Sequence, residues 1–145
     1  MWFTLCILVS VIALSRGVPQ CTGLGKYTMQ SDVKDHVVQR VLLYSPGKEI
    51  ASISSVYDCD LEKMAGEILD DPHKPIAFLK DIGIYPLIYS IEGRGEDNVR
   101  LMTHAALHTW KEYIEKIPFF TFGCNYRKQY GDRHYYLCLL RHKAE

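Results

Sequence analysis

The sequence predicts an α+β fold of about three helices and a small antiparallel sheet. Apolar residues recur at helical spacing in three segments, and two β-rich segments at the C-terminus flank a turn at Tyr130-Gly131-Asp132. The 145 residues are 48% hydrophobic and 23% charged, which is typical of a compact globular chain. Because no internal repeat or low-complexity tract interrupts it, we expect one domain.

The first two helices are predicted between residues 31 and 71. Ser31, a common capping residue, precedes an apolar stripe that ends before Pro46-Gly47 and consists of Val33, Val37, Val38, Val41 and Leu42. We expect Asp60 to cap the second helix, which ends at Asp71-Pro72. Its apolar face follows the spacing i, i+3, i+4, i+7, i+8 and comprises Leu61, Met64, Ala65, Ile68 and Leu69.

A β-rich segment and the longest helix follow. Residues 84–91 are β-branched and aromatic, but Pro86 favours an edge strand or an irregular segment. The third helix is predicted from Asp97 to Ile117, before Pro118. On a helical wheel its apolar face comprises Met102, Ala106, Leu107, Trp110, Tyr113, Ile114 and Ile117. The opposite face carries His104, His108, Lys111 and Glu115.

The N-terminal segment is predicted to be a secretory signal peptide. Residues 2–14 form an uncharged apolar run, shorter than the about 20 residues that span a bilayer. Small residues in Ser15-Arg16-Gly17 then suit cleavage after Gly17. We therefore expect residues 1–17 to be removed and residues 18–145 to form a single secreted, extracellular domain that does not span a membrane. A buried N-terminal strand or helix is the alternative.

The cysteines predict two disulfide bonds. Cleavage removes one of five cysteines and leaves Cys21, Cys59, Cys124 and Cys138. An even number in a short secreted chain indicates a disulfide framework, here with three possible pairings. Cys124 and Cys138 are equidistant from Gly131, so an antiparallel hairpin centred there places them opposite each other. By elimination, Cys21 pairs with Cys59.

Charge and motifs exclude several classes of function. The whole chain has 17 basic and 17 acidic residues; removal of Arg16 leaves a net charge of −1, which argues against a nucleic-acid partner. No nucleophile elbow, phosphate-binding loop or dinucleotide fingerprint is present, so no cofactor is expected. Pairing of all four mature cysteines leaves no thiol nucleophile.

The third helix carries a weak candidate for a metal site. His104 and His108 are spaced i, i+4, so both could face one zinc ion, with Glu112 or Glu115 as a third ligand. The His-Glu-x-x-His pattern of zinc proteases is absent. A solvated polar helix face explains these residues better, and no metal is expected. A secreted zinc-dependent hydrolase using this face is the alternative function.

The C-terminal hairpin carries a candidate binding surface. Aromatic and basic residues cluster there, with Lys128, Tyr136 and Arg141 nearby: Tyr126, Arg127, Tyr130, Arg133, His134 and Tyr135. Tyr and Arg are enriched at the energetic centres of protein interfaces. A half-buried hairpin with solvated basic residues is the plainer interpretation of the same pattern.

Several segments together resemble the CAP superfamily, also called SCP/TAPS, and in particular the activation-associated secreted proteins of parasitic nematodes. The most specific is Val56-Tyr-Asp-Cys-Asp-Leu-Glu-Lys-Met-Ala65, which is similar to the motif that opens the second helix of that fold. Cys21 before the first helix, Ala106-x-x-x-Trp110-x-Glu112 and the closing Gly123-Cys124…Tyr136-Leu-Cys138 hairpin are similar too. The resemblance implies a shortened CAP-like α-β-α sandwich that ends in a disulfide-bridged hairpin.

The departures from the family pattern bear on function. Members with a metal-binding cleft use two His and two Glu, but here the Gly-Glu-Asn motif is missing, with Gly83-Ile-Tyr-Pro nearest to it, and the His-Phe-Thr segment is deleted after Pro118. Only Glu112 and His73 offer counterparts. The resemblance thus implies a non-enzymatic interaction or host-modulating factor with an extracellular protein partner, such as a host protein. Sheet surface exposed by the deletion would suit that partner or a homodimer. A small lipid or sterol carrier, within the family's range, is a further alternative.

Overall fold

The computed structural model describes residues 21–45, 53–71, 75–93, 99–129 and 132–142. Its main helices are α1 (Ser31–Tyr44), α2 (Cys59–Asp70) and α3 (Val99–Lys116), and its strands are β1 (Ile84–Glu92), β2 (Phe119–Gln129) and β3 (Arg133–His142). Single helical turns lie at Gly25–Tyr27, Ile53–Val56 and Phe78–Asp81. The predicted α+β class is confirmed. The predicted signal peptide, the stop at Pro46-Gly47 and the helix start at Asp97 lie outside the described residues.

The three strands form one antiparallel sheet in the order β1-β3-β2. β1 is an edge strand, as Pro86 predicts, since a residue without an N–H is tolerated where no neighbour needs it. In the hairpin, Cys124 lies opposite Cys138, and their Cα atoms are 4.0 Å apart. Both predicted disulfides, Cys124–Cys138 and Cys21–Cys59, are present. The predicted register of the hairpin is therefore confirmed.

Helices cover both faces of the sheet, which gives the predicted shortened α-β-α sandwich. On one face α1 and α3 pack over the disulfide, in a core that includes Val37, Val41, Leu107, Trp110, Tyr136 and Cys138. On the other face α2 packs in a core that includes Leu61, Ala65, Leu69, Leu137 and Leu139. Leu137 and Cys138 belong to opposite cores because neighbouring residues of a strand point to opposite faces.

Two predicted helix caps are wrong. Ser31 is the first residue of α1 and Gln30 occupies the capping position, without a side-chain hydrogen bond. Asp58, not Asp60, caps α2 and accepts a hydrogen bond from the Asp60 N–H at 2.9 Å. The Asp58 N–H donates to the Phe122 carbonyl of β2 at 2.8 Å, so the sheet holds Asp58 in the extended conformation that a cap requires.

The predicted apolar face of α3 needs one correction. Tyr113 is 51% exposed, while Thr103, outside the predicted face, is 1% exposed. Tyr113 lies beside the edge strand, where the sheet ends, and lines a shallow cavity of about 290 Å³ with Tyr85 and Ile88. Thr103 tolerates burial because its hydroxyl donates to the Val99 carbonyl at 2.8 Å. The exposed apolar residues near β1 fit the predicted exposure of part of the sheet. The homodimer that could cover this surface stays a prediction.

Candidate functional site

An N-terminal arm, residues 21–30, is held against one face of α2. Three residues of that helix, spaced i, i+4, i+8, meet it: Glu62, Gly66 and Asp70. The Met29 N–H donates to Glu62 Oε2 at 3.2 Å, and Lys26 Nζ lies 3.2 Å from Asp70 Oδ2. Between them, a Cβ on Gly66 would lie 3.1 Å from the Tyr27 Cβ, so the missing side chain permits the close approach. Residues 26–30 of the arm therefore run antiparallel to α2, from Asp70 back to Glu62.

The end of β2 completes this assembly. The Asn125 side-chain amide, on a residue 3% exposed, donates to the carbonyls of Tyr27 at 2.6 Å and Glu62 at 2.9 Å. Arg127 Nη1 lies 2.7 Å from Asp70 Oδ1. The arm, α2 and β2 are thus joined by hydrogen bonds and ion pairs between segments far apart in sequence.

The end of the arm that leads into α1 contacts a buried ion pair through Met29. Lys34 Nζ lies 3.0 Å from Glu62 Oε1, and these side chains are 2% and 0% exposed. The Tyr57 hydroxyl also donates to Glu62 Oε1, and the Lys34 ammonium lies 4.9 Å from the Tyr57 ring centroid. Burial and the negative charge of Glu62 raise the pKa of Tyr57 far above its ordinary value, so the phenol stays a donor. We refer to Lys34, Tyr57 and Glu62 as the buried junction.

Residues 26–30 of the arm border a cleft of about 500 Å³, which we call the hairpin cleft. It is lined by Lys26, Thr28, Gln30, Gly93, Val99, Tyr126, Arg127, Lys128, Asp132 and His134. Lys128 Nζ lies 3.3 Å from Asp132 Oδ1, while Lys26 and Arg127 share the carboxylate of Asp70 at the rim. Among the described residues, the three cations Lys26, Arg127 and Lys128 are therefore ion-paired with only two carboxylates, and this wall favours an anionic group.

The floor of the hairpin cleft is aromatic. The Tyr126 ring stacks on His134 with centroids 5.8 Å apart, and the Tyr126 hydroxyl lies 2.6 Å from His134 Nδ1. Burial, with a contribution from Asp32, raises the pKa of Tyr126. Tyr136 lies beneath, 4.9 Å from Tyr126 between ring centroids, and burial raises its pKa to about 12. Both phenols are therefore protonated at neutral pH.

The structure divides the predicted hairpin surface. Tyr126, Arg127 and His134 line the cleft, whereas Arg133 Nη2 donates to the Ser90 hydroxyl of β1 at 3.2 Å. Tyr135 packs against the core under α2, because alternate residues of β3 point to opposite faces. Tyr130 lies outside the described residues.

Sequence reasoning missed the arm's share of the cleft. One wall of the cleft is formed by Lys26, Thr28 and Gln30. No local pattern connects them to the hairpin, because the Arg127 side chain that donates a hydrogen bond to the Lys26 carbonyl is 101 residues later in the sequence. The Cys21–Cys59 pairing is the signal that could have found them, since it ties the arm to the start of α2.

The weak metal candidates do not form a metal site in the described structure. His104 and His108 are exposed on α3, and Glu112, 74% exposed, pairs with Lys116 at 2.9 Å, which lowers the pKa of Glu112. Within the described residues, no three or more His, Cys, Asp or Glu side chains are grouped so as to hold a metal ion. His73 lies outside them. The described residues thus do not fit the His/Glu metal cleft of the CAP superfamily.

No curated protein matches the chain. Among solved structures, it is similar to manganese-bound Ac-ASP-7, a hookworm CAP protein, with 20% sequence identity and a TM-score of 0.47 over 81% of this chain and 72% of that one. In the part of the chain that the structure describes, no helix is long and apolar enough to cross a membrane.

The family is shown by the sequence itself. The model of a family described as Ancylostoma-associated secreted protein related matches residues 21–140. This match begins at the first cysteine of the arm and ends in the last strand, so it includes the arm, all three helices and the hairpin. The predicted likeness to secreted nematode proteins of the CAP superfamily is thereby confirmed. The chain belongs to the Ancylostoma-associated secreted protein related family.

Proposed function

We propose that the protein is a secreted, non-enzymatic interaction protein that binds an extracellular protein, such as a host protein, through the hairpin cleft. The observation that carries this proposal is the composition of the cleft, in which three cations border an aromatic floor and are ion-paired with only two carboxylates. Tyr and Arg in one concave surface are typical of protein-binding sites. The family name supports secretion.

The charges favour an acidic segment on the partner. Asp70 is shared by Lys26 and Arg127, so neither cation is matched by a carboxylate of its own. The Arg127 side chain is 26% exposed and already fixed by its 2.7 Å contact with Asp70, which lowers the entropy lost when it binds a second carboxylate. Lys128, 53% exposed, can exchange Asp132 for a carboxylate of the partner.

The cleft supports binding better than catalysis. His134, the imidazole base lining the cleft, is 5% exposed and its Nδ1 lies against the Tyr126 hydroxyl. Asp132 is paired with Lys128, and the phenols stay protonated at neutral pH. A general acid or base must reach the reacting group, and these groups bond to one another instead.

The test combines a defined probe with capture of the partner. A hexaglutamate peptide is titrated into the isotopically labelled secreted protein at low salt, with hexaglutamine as the control peptide. We expect shifts at cleft residues with hexaglutamate alone, and at least tenfold weaker binding for Arg127→Gln/Lys128→Gln. The variant Lys63→Gln/Lys80→Gln, with the same charge change on exposed lysines elsewhere, retains binding.

The same three proteins are then used as bait in host extracellular fluid. A partner captured by the wild type and the control variant, but lost by the cleft variant, supports the proposal when its measured Kd shows the same difference. Equal binding by all three proteins would remove the hairpin cleft as the binding surface.

A further inference from the structure

The two disulfides lie in different surroundings. Cys124–Cys138 joins neighbouring strands in the core, and its residues are 1% and 0% exposed. Cys21–Cys59 joins the arm to the first residue of α2, and both residues are partly exposed. Exchange with a thiol requires access to a sulfur atom. Of these two bonds, Cys21–Cys59 is the one that a dissolved thiol can reach without opening the core.

A buried cation lies beside one of its sulfur atoms. Lys34 Nζ is 3.4 Å from Cys21 Sγ, 3.0 Å from Glu62 Oε1 and 4.9 Å from the Tyr57 ring centroid. When the disulfide breaks, a thiolate at Cys21 gains an ion pair with a group already in place. A nearby ammonium lowers the pKa of a thiol, and a thiol of lower pKa is the better leaving group in exchange.

The other sulfur belongs to a residue whose two neighbours in sequence are acidic. Cys59 lies between Asp58 and Asp60. These carboxylates oppose the helix N-terminus, which by itself would stabilise a thiolate there. The two ends of the bond are therefore unequal, with Cys21 as the leaving group and Cys59 as the sulfur that is attacked.

We infer that Cys21–Cys59 is a thiol-exchange site whose co-reactant is a small thiol. The external thiolate bonds to Cys59 Sγ as the Cys59–Cys21 bond breaks, and the electron pair of that bond leaves on Cys21 as a thiolate beside Lys34. A second external thiolate attacks the external sulfur of the mixed disulfide and releases Cys59 as a thiolate. In sum two thiols are oxidised to a disulfide, and the protein disulfide takes up two electrons.

Exchange leaves the arm attached to the domain. Independent of the disulfide, the Met29 N–H is bound to Glu62, the Tyr27 carbonyl to Asn125 and Lys26 to Asp70. The folded protein therefore tolerates a mixed disulfide at Cys59, and the site is one of covalent modification rather than of unfolding.

The first experiment identifies the modified sulfur. The folded protein is incubated with reduced glutathione at pH 7.5, free thiols are blocked with iodoacetamide, and peptides are measured by mass spectrometry. We expect glutathione on Cys59, alkylation on Cys21 and an intact Cys124–Cys138 bond, with the first disulfide opening at least tenfold faster. Glutathione on Cys21, or opening of both disulfides together at the rate of global unfolding, would overturn the inference.

The second experiment tests the lysine. In Cys59→Ser, the pH dependence of alkylation gives the pKa of the free Cys21 thiol, which we expect below the ordinary value of about 8.5. Adding Lys34→Met with Glu62→Gln removes both buried charges together and should raise that pKa by about one unit, a tenfold change in thiolate. An unchanged pKa overturns the role of Lys34. If that combined variant does not fold, a pKa of 8.5 or more for the Cys21 thiol in Cys59→Ser alone would also overturn the role of Lys34.

Discussion

Two carboxylates on the same face of α2, two turns apart, have similar partners and different surroundings. Glu62 lies 3.0 Å from Lys34, and Asp70 lies 3.2 Å from Lys26. Glu62 is 0% exposed and receives further hydrogen bonds, whereas the Asp70 side chain is 33% exposed at the rim of the hairpin cleft. The distances are alike, so access of water distinguishes the two pairs.

Because of this difference, the two carboxylates of α2 are suited to different roles. At the buried junction, a charge that loses its partner has no water to replace it, so the pair holds the arm, α1 and α2 together. At Asp70, water and salt compete with the pair, which adds little to stability and leaves the cations free to change partners. The exposed end therefore suits binding, and the buried end positions it.

Matched carboxylate-to-amide substitutions provide the strongest test of this comparison. Glu62→Gln leaves the Lys34 ammonium buried without a counter-charge, and we expect the free energy of unfolding to fall by about 3–5 kcal/mol. Asp70→Asn, in the solvent-exposed pairs, should lower it by less than about 1 kcal/mol. Urea unfolding followed by circular dichroism measures both values. Equal losses would mean that burial does not distinguish the two pairs.

Glycine substitutions test how closely the first turn and the middle of α2 are packed. A Cβ on Gly123 would lie 2.5 Å from the Asp58 carbonyl oxygen and from the Glu62 nitrogen, both of them backbone atoms. We expect Gly123→Ala to lower the free energy of unfolding by about 1–3 kcal/mol or more, because backbone must move. At Gly66 the nearest atom is a side-chain amide of Asn125, at 2.8 Å. Gly66→Ala should therefore have the smaller effect by thermal unfolding, and the reverse order would contradict this packing.

The smallest effect is expected from His36, a partly exposed histidine of α1. Burial, together with the nearby side chains of Arg100, Arg40 and His104, lowers the pKa of His36 below 6.5. The folded protein thus binds fewer protons at His36 than the unfolded chain in the interval between the lowered pKa and 6.5. Stability should fall as the pH decreases through this interval and should level off below it.

The variant His36→Gln isolates this contribution. Thermal unfolding between pH 7.5 and 5 should show a smaller fall in Tm for the variant than for the wild type. The same slope in both proteins would show that other groups cause the pH dependence. Because the histidine is partly exposed, its effect should remain below that of Glu62→Gln, which removes a charge from the interior.

Much of the fold could be predicted because its signals are local. The apolar stripe of α2 follows directly from its spacing, and the equal distances of Cys124 and Cys138 from Gly131 predict the register of the hairpin. The helix cap could not be placed in this way, since Asp58 takes its extended conformation from a hydrogen bond to Phe122 of β2. The predicted hairpin surface shares Tyr126, Arg127 and His134 with the cleft, because these residues are close in sequence, but it does not include the arm residues, which are distant in sequence.

By itself, the sequence determined the helices, the hairpin and the two disulfide pairings, because periodicity and spacing depend on neighbours along the chain. Only the tertiary structure decided which charged side chains are buried away from water. Lys34 and Lys26 are both lysines near the start of α1, yet one is 2% exposed beside Glu62 and the other 66% exposed beside Asp70. The environment of a charge depends on every segment packed around it, and those segments come from distant parts of the chain.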